Sequence, residues 1–172
     1  MTVDGTVDEV GRAAEAAVFG QLEALGIAHE RLECDPELAD TAAFCAHYGV
    51  PVEASGNTII VASKREPKQF VACLVTAPTR LDVNRVVRRL MGVSKASFAT
   101  AEETQALTGM MIGGVTVFGL PADLKLYVDA RVMDLETLWV GGGSRSCKLK
   151  VEPASLLRLP NVEVIEGLAF EA

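Results

Sequence analysis

The stretch NTIIVASKREPKQFVACLVTA, residues 57 to 77, consists of two runs rich in β-branched residues joined by the polar link KREPK. Such runs bounded by a polar turn read as the two strands of a hairpin. On the N-terminal side, Thr6-Val7-Asp8-Glu9 is a capping box, and Val10, Ala14, Ala17, Val18, Leu22 and Leu25 follow at helical spacing up to Gly26. Residues 27 to 33 alternate as a strand does, and Asp40 to Tyr48 reads as a helix ended by Gly49 and Pro51. On the C-terminal side, Asp82 to Met91 reads as a basic amphipathic helix, and Thr100-Ala101-Glu102-Glu103 is a second capping box opening a helix that stops at Gly109. LKLYVD (124 to 129), TLWVGG (137 to 142) and SCKLKVE (146 to 152) read as strands, and Pro153 starts a last helix through Leu157. Hairpins mixed with helices predict an α/β (α+β) fold: one domain over residues 1–172, with a central mixed, largely antiparallel sheet flanked by helices.

The bulk numbers agree with one domain. The chain has 172 residues, 49% of them hydrophobic, enough for a single core. It has no run of about 20 uncharged apolar residues, and the N-terminus is acidic where a signal peptide is basic and then apolar, so the expected location is the cytoplasm, without a membrane partner. Cys34, Cys45, Cys73 and Cys147 form no CxxC pair and only His29 and His47 accompany them, so a zinc site is not expected. The net charge of −7 opposes wholesale coating of a phosphate backbone. The sign is uneven, however: residues 80 to 95 carry Arg80, Arg85, Arg88, Arg89 and Lys95 against Asp82 alone. Arg85, Arg88 and Arg89 are therefore the candidate phosphate contacts of a basic face.

TGMMIGGVTVFGLP, residues 108 to 121, has no charged side chain and is broken by glycines. Gly113 and Gly114 let backbone N–H groups approach a ligand closely, and their apolar neighbours exclude water. Gly141-Gly142-Gly143-Ser144-Arg145 is a second cluster that could form an opposite wall. Neither fits GxGxxG or GxxxxGK[ST], so nucleotide-phosphate binding of those kinds is not supported.

Taken in order, Phe44-Cys45-Ala46-His47-Tyr48-Gly49-Val50-Pro51, Asn57-Thr58-Ile59-Ile60-Val61, Arg80-Leu81-Asp82, Leu107-Thr108-Gly109 with Gly113-Gly114-Val115, Tyr127-Val128-Asp129, and Val140-Gly141-Gly142-Gly143 before Lys148-Leu149-Lys150 make the chain recognisable. It resembles the YbaK family of aminoacyl-tRNA deacylases, also found as the editing domain inserted in bacterial prolyl-tRNA synthetases, from about residue 15 to residue 166. The resemblance implies a freestanding trans-editing domain that hydrolyses a wrongly attached small amino acid from tRNA, without metal or cofactor, with mischarged tRNA and in some settings a synthetase as partners. A second sieve answers a physical limit, because a pocket distinguishes one methylene by only about 1–3 kcal/mol. It also implies site residues. Asn57, Gly113 and Gly114 fall at catalytic positions, and Thr58, Val115, Thr116, Val117, Asp129, Gly142, Gly143, Ser144 and Arg145 fall around the substrate.

Two positions depart from the family pattern. Relatives carry lysine before threonine or serine where this chain has Asn57-Thr58, and a proline where this chain has Val117. Asn57 hydrogen-bonds but carries no charge. Lys64, Arg65, Lys68 and Arg145 are the available replacements, with Arg145 preferred because its neighbours would face the same cleft. Asp129 reads either as a support for the glycine loops or as a structural cap, and Thr58 either as a contact to the substrate amine or as strand filling. Two other readings stay open at this point: a non-catalytic homologue that binds tRNA, an aminoacyl-adenosine-like ligand or a synthetase, and a thiol enzyme built on Cys45 and His47.

Overall fold

The computed structural model describes residues 5–172, with side chains from Glu9 onward, so the Thr6–Glu9 capping box rests on a Thr6 side chain outside the described ones. Helix α1 (Gly5–Ala24) is followed by β1 (His29–Glu33), α2 (Thr41–Tyr48), and the hairpin β2 (Gly56–Ser63) and β3 (Phe70–Thr76). Next come β4 (Thr79–Leu81), a helical segment ending in α3 (Arg88–Met91), β5 (Ala96–Phe98) and α4 (Ala101–Thr108). The chain closes with β6 (Lys125–Asp129), α5 (Ala130–Met133), β7 (Leu138–Gly141), β8 (Cys147–Val151), a 3-10 segment Pro153–Arg158, β9 (Val162–Ile165) and β10 (Ala169–Glu171).

The central sheet is mixed, in the order β5-β2-β3-β6-β9: its first two pairings are antiparallel and its last two parallel. A second, antiparallel sheet runs β1-β8-β7, and β10 pairs with β4. The expected mixed central sheet with helices is present, but it is half parallel rather than largely antiparallel, because β6 joins β3, and β9 joins β6, after crossovers; the other two sheets are antiparallel.

Strand alternation splits the core. Ile60, Ala72, Leu74, Leu126 and Val128 face one side, where Val18 and Leu22 of α1 and Leu149 of β8 join them. Val61, Val71, Cys73, Val75 and Tyr127 face the other, under Val83 and Val87 of the basic segment. A third cluster holds Phe44 and Cys45 of α2 with Cys34, while Leu32 and Trp139 pack against it from the second sheet.

Local chemistry sets the ends of these elements. At α4 the Thr100 hydroxyl accepts from the Glu103 amide and the Glu103 carboxylate accepts from the Thr100 amide, each at 3.0 Å, as the capping box requires. Gly49 and Gly109 end α2 and α4 in the left-handed region, which a side chain would strain. The segment read as one helix from Asp82 begins as a π turn over Val83–Val87, with Asp82 accepting from the Arg85 amide, and turns α-helical only at Arg88. The last helix is a 3-10 segment, in keeping with its short run after Pro153.

Candidate functional site

A cavity of about 260 Å³ opens between β2 and the glycine loop at 112–115. Asn57, Thr58, Ile59 and Ile60 form one wall, Ile112, Gly113 and Val115 the other, and Asp40, Thr41, Ala99, Thr104, Gly141 and Lys148 close it. Its place follows from the sheet. β5 covers the edge of β2 only along Val61–Ser63, and a lone bridge joins Ser55 to Trp139. The Ala99 amide donates to the Ile60 carbonyl, so even-numbered residues of β2 turn their main chain to this edge. Thr58 lies between the two covered stretches, and its peptide groups face the cavity. Its side-chain oxygen is buried and has no hydrogen-bond partner among the described residues. A buried polar group left unpaired costs about 1–3 kcal/mol, which a ligand contact would recover.

Asn57 is held in place from α2: its Oδ1 accepts from the Thr41 hydroxyl at 2.5 Å. That bond uses the carbonyl side and leaves the amide N–H groups as donors.

The two glycines of the loop differ. The Gly114 amide donates to the Met111 carbonyl and its carbonyl accepts from Gly143, both at 2.9 Å, so its main chain is spent inside the fold and it lies outside the cavity lining. The amides of Gly113 and Val115 have no hydrogen-bond partner among the described residues, and both residues line the cavity. Gly113 has φ of 93°, a backbone that favours glycine. Thr116 and Val117 are buried in the core behind the loop.

The second cluster serves the fold. Only Gly141 reaches the cavity. A Cβ on Gly142 would collide with Cys147 Sγ, and one on Gly143 would stand 3.0 Å from the main chain of Ala14 in α1. The Ser144 hydroxyl donates to Glu15 of α1 at 2.8 Å. Arg145, the replacement cation preferred on spacing, is outside the lining: its guanidinium donates to the carbonyls of Pro36 at 2.9 Å and Ile112 at 2.8 Å and pairs with Asp40 at 3.3 Å. It ties the glycine loop to the entry of α2.

The cation in the cavity wall is instead Lys148, which sequence reasoning missed. It sits on β8, the middle strand of the second sheet, on the face opposite the core residue Leu149. α2 covers that face. The Lys148 stem therefore runs under Phe44, with Nζ 5.4 Å from the ring centroid, and the ammonium donates to the Gly113 carbonyl at 3.2 Å. The residue is only 8% exposed and has no ion-pair partner within 4.0 Å among the described residues. Burial pushes its pKa below the ordinary lysine range; Cys34, Asp40 and Cys147 pull it back up, and Arg145 pushes it further down. The signal in the sequence was the alternation Lys148-Leu149-Lys150, but nothing there says that a helix lies over the lysine side.

The other candidates lie elsewhere. Asp129 ends β6 away from the cavity lining; burial pushes its carboxyl above the ordinary range, and Oδ2 has no partner among the described residues. Arg85, Arg88 and Arg89 belong to the segment packed on the opposite face of the central sheet, where Arg85 borders a separate groove with Phe98 and Phe170. Cys45 is buried against Phe44 while His47 is exposed beside Tyr48, and no hydrogen bond joins them, so the thiol reading gains no geometry. The described residues contain no cluster of His, Cys, Asp and Glu fit for a metal ion, and no described helix is long and apolar enough to cross a membrane.

Known proteins share this layout. Residues 35–159 match the model of the aminoacyl-tRNA editing domain. The uncharacterized protein YwhH of Bacillus subtilis (strain 168) is 29% identical over 114 residues, 61% of this chain and 71% of that protein. The crystal structure of the hypothetical protein APE2540 superposes with a TM-score of 0.79 at 25% identity, covering 90% of this chain and 99% of that one. That of a candidate trans-editing enzyme for prolyl tRNA synthetase superposes with a TM-score of 0.77 at 25% identity, covering 92% and 98%.

Proposed function

The chain belongs to the aminoacyl-tRNA editing domain family, and on that premise we propose that it is a trans-editing deacylase, hydrolysing the ester that links a small, wrongly chosen amino acid to the 3′ end of a tRNA. The observation that carries the reading is the 260 Å³ cavity between the Thr58 edge and the Gly113 loop. It is smaller than the usual drug-sized pocket of roughly 300–1,000 Å³ and suits a small side chain.

Ester hydrolysis needs donors where the carbonyl oxygen becomes negative, and donors fixed in advance do most of that work. The free amides of Gly113 and Val115 and the unpaired Thr58 hydroxyl are such groups on facing walls. Asn57, fixed by Thr41, offers its amide N–H groups to the ribose or the amino acid. Attack by water forms the new C–O bond and displaces the ribose hydroxyl, which leaves with a proton. Isoleucines and valine limit the guest by size. The name of the prolyl-type relative supports action in trans, with mischarged tRNA and in some settings a synthetase as partners. Arg85, Arg88 and Arg89 are proposed contacts to the tRNA body, and the cytoplasm is the proposed location.

The test is deacylation of tRNAs charged with alanine, cysteine, serine, threonine or proline by the wild type beside Asn57→Lys. One mischarged species should be hydrolysed by the wild type. Silence toward all five from a folded protein would sink the reading, and activity appearing only in Asn57→Lys would favour a binding homologue.

A further inference from the structure

A buried ammonium without a counter-ion is an expensive object, and natural proteins keep one only where something else is gained. Lys148 is such a group. Arg145 holds Asp40, the other charged residue of the cavity wall, at 3.3 Å, so that carboxylate is already engaged. One of the three ammonium donors is used on the Gly113 carbonyl. The same cavity holds the partnerless Thr58 hydroxyl on one wall and the free amides of Gly113 and Val115 on the facing one. A cavity lined by an unpaired cation and spare donors is built for negative charge.

We propose that Lys148, acting from β8, forms with Thr58 and the Gly113 loop an anion-binding subsite that takes an anionic oxygen of the aminoacylated tRNA end. Only the identity of the anion rests on the editing reading. Two oxygens share the required chemistry: the ester carbonyl oxygen as it becomes negative, and the phosphate of the terminal nucleotide. β8 thereby supplies the positive charge that Asn57 on β2 does not.

The first arm needs no substrate. Thermal unfolding is followed for the wild type and Lys148→Met in a sulfate series with chloride holding the ionic strength. The wild type should show a saturable gain in Tm, and Lys148→Met should start at a higher Tm and show only the non-saturating gain that sulfate's exclusion from protein surfaces gives, since it has lost an unpaired charge and the ligand for sulfate. Equal sulfate responses, or a Lys148→Met protein that starts less stable, would overturn the proposal and make Lys148 a strut for the loop. Lys148→Gln serves the same comparison if Lys148→Met does not fold.

The second arm identifies the oxygen, using single-turnover hydrolysis and binding of a non-hydrolysable 3′-aminoacylamino-adenosine 5′-phosphate. Hydrolysis falling by about 100- to 1,000-fold in Lys148→Met with analogue binding intact assigns the ester oxygen. Loss of both assigns the phosphate. Retention of both would overturn the subsite. A wild type that neither hydrolyses nor binds the analogue would sink the editing reading alone, and the sulfate arm would still decide the subsite.

Discussion

The loop around Gly113, with two adjacent glycines, and the loop around Gly142, with three, are both glycine clusters, and their composition alone gives no reason to treat them differently. In the fold the first turns free amides into a cavity, while the second disappears under α1 and against Cys147. Glycine is required in both, for different reasons: at Gly113 by a positive φ with the Arg145 guanidinium packed against it, at Gly142 by the sulfur and carbonyl of Cys147. A glycine cluster thus reports close approach of main chain, and only the partner tells whether the visitor is a ligand or the protein itself.

That contrast can be broken by experiment. Of the two loops, the larger effect expected is on catalysis: Gly113→Ala should cut deacylation about 100-fold. Its positive φ adds about 1–2 kcal/mol of destabilisation, and the atoms it displaces belong to the Arg145 guanidinium that Pro36, Ile112 and Asp40 hold. A variant that lost stability but kept kcat/KM would place Gly113 with the packing glycines. Gly142→Ala should behave in the reverse manner, losing about 1–3 kcal/mol because the new methyl group meets a packed sulfur and carbonyl, with kcat/KM of the folded protein nearly unchanged. Denaturant titration beside initial rates separates the two cases.

The pH dependence sharpens the comparison further. Below the lowered pKa of Lys148, the folded and unfolded states both hold the proton. As pH rises through it toward the ordinary value of 10.5, the folded state sheds the proton first, so stability should rise while the cavity loses its charge. Deacylation above the uncatalysed background should therefore fall over the same alkaline window in which this lysine adds stability. Lys148→Met should show neither trend; identical profiles for the two proteins would detach Lys148 from the site. Cys34, Cys147, Asp40 and Arg145 face the same ammonium, which is why the difference between the proteins, rather than either curve alone, is the quantity to read. The smallest effect belongs farthest from the cavity. Replacing Arg85, Arg88 and Arg89 by Ala should weaken tRNA binding for all sequences and flatten its salt dependence, as lost phosphate contacts do. An unchanged slope in filter binding would put the tRNA body on another surface.

How far the sequence could be read depended on whether a feature is local. The β2–β3 hairpin, the Thr100 capping box and the glycines ending α2 and α4 depend on neighbours within a few residues, and they were legible. β4, β5, β9 and β10 are three or four residues long and exist only because a distant strand pairs with them. Each was missed, whereas β7, also four residues long, was read from its TLWVGG run. Within the site, Asn57, Thr58, Gly113 and Val115 lie on contiguous motifs and converge on the cavity. Ser144 and Arg145 carry the same kind of motif, yet α1 and the α2 entry claim them. Lys148 was lost for the converse reason, since its strand alternation suggests a solvated face and only the three-dimensional placement of α2 closes it.

The wall of the cavity built from Gly113 and Gly141 has one more implication, for how such a pocket can change over evolutionary time. A glycine has no side chain to trim. At those two positions no substitution can enlarge the cavity; on that wall only Ile112 and Val115 have side chains to shorten, and any further gain requires the main chain of the 108–121 loop to move. A broader diet has to come from shorter residues at Ile112 or Val115 or from a loop of different length, and not from the glycines.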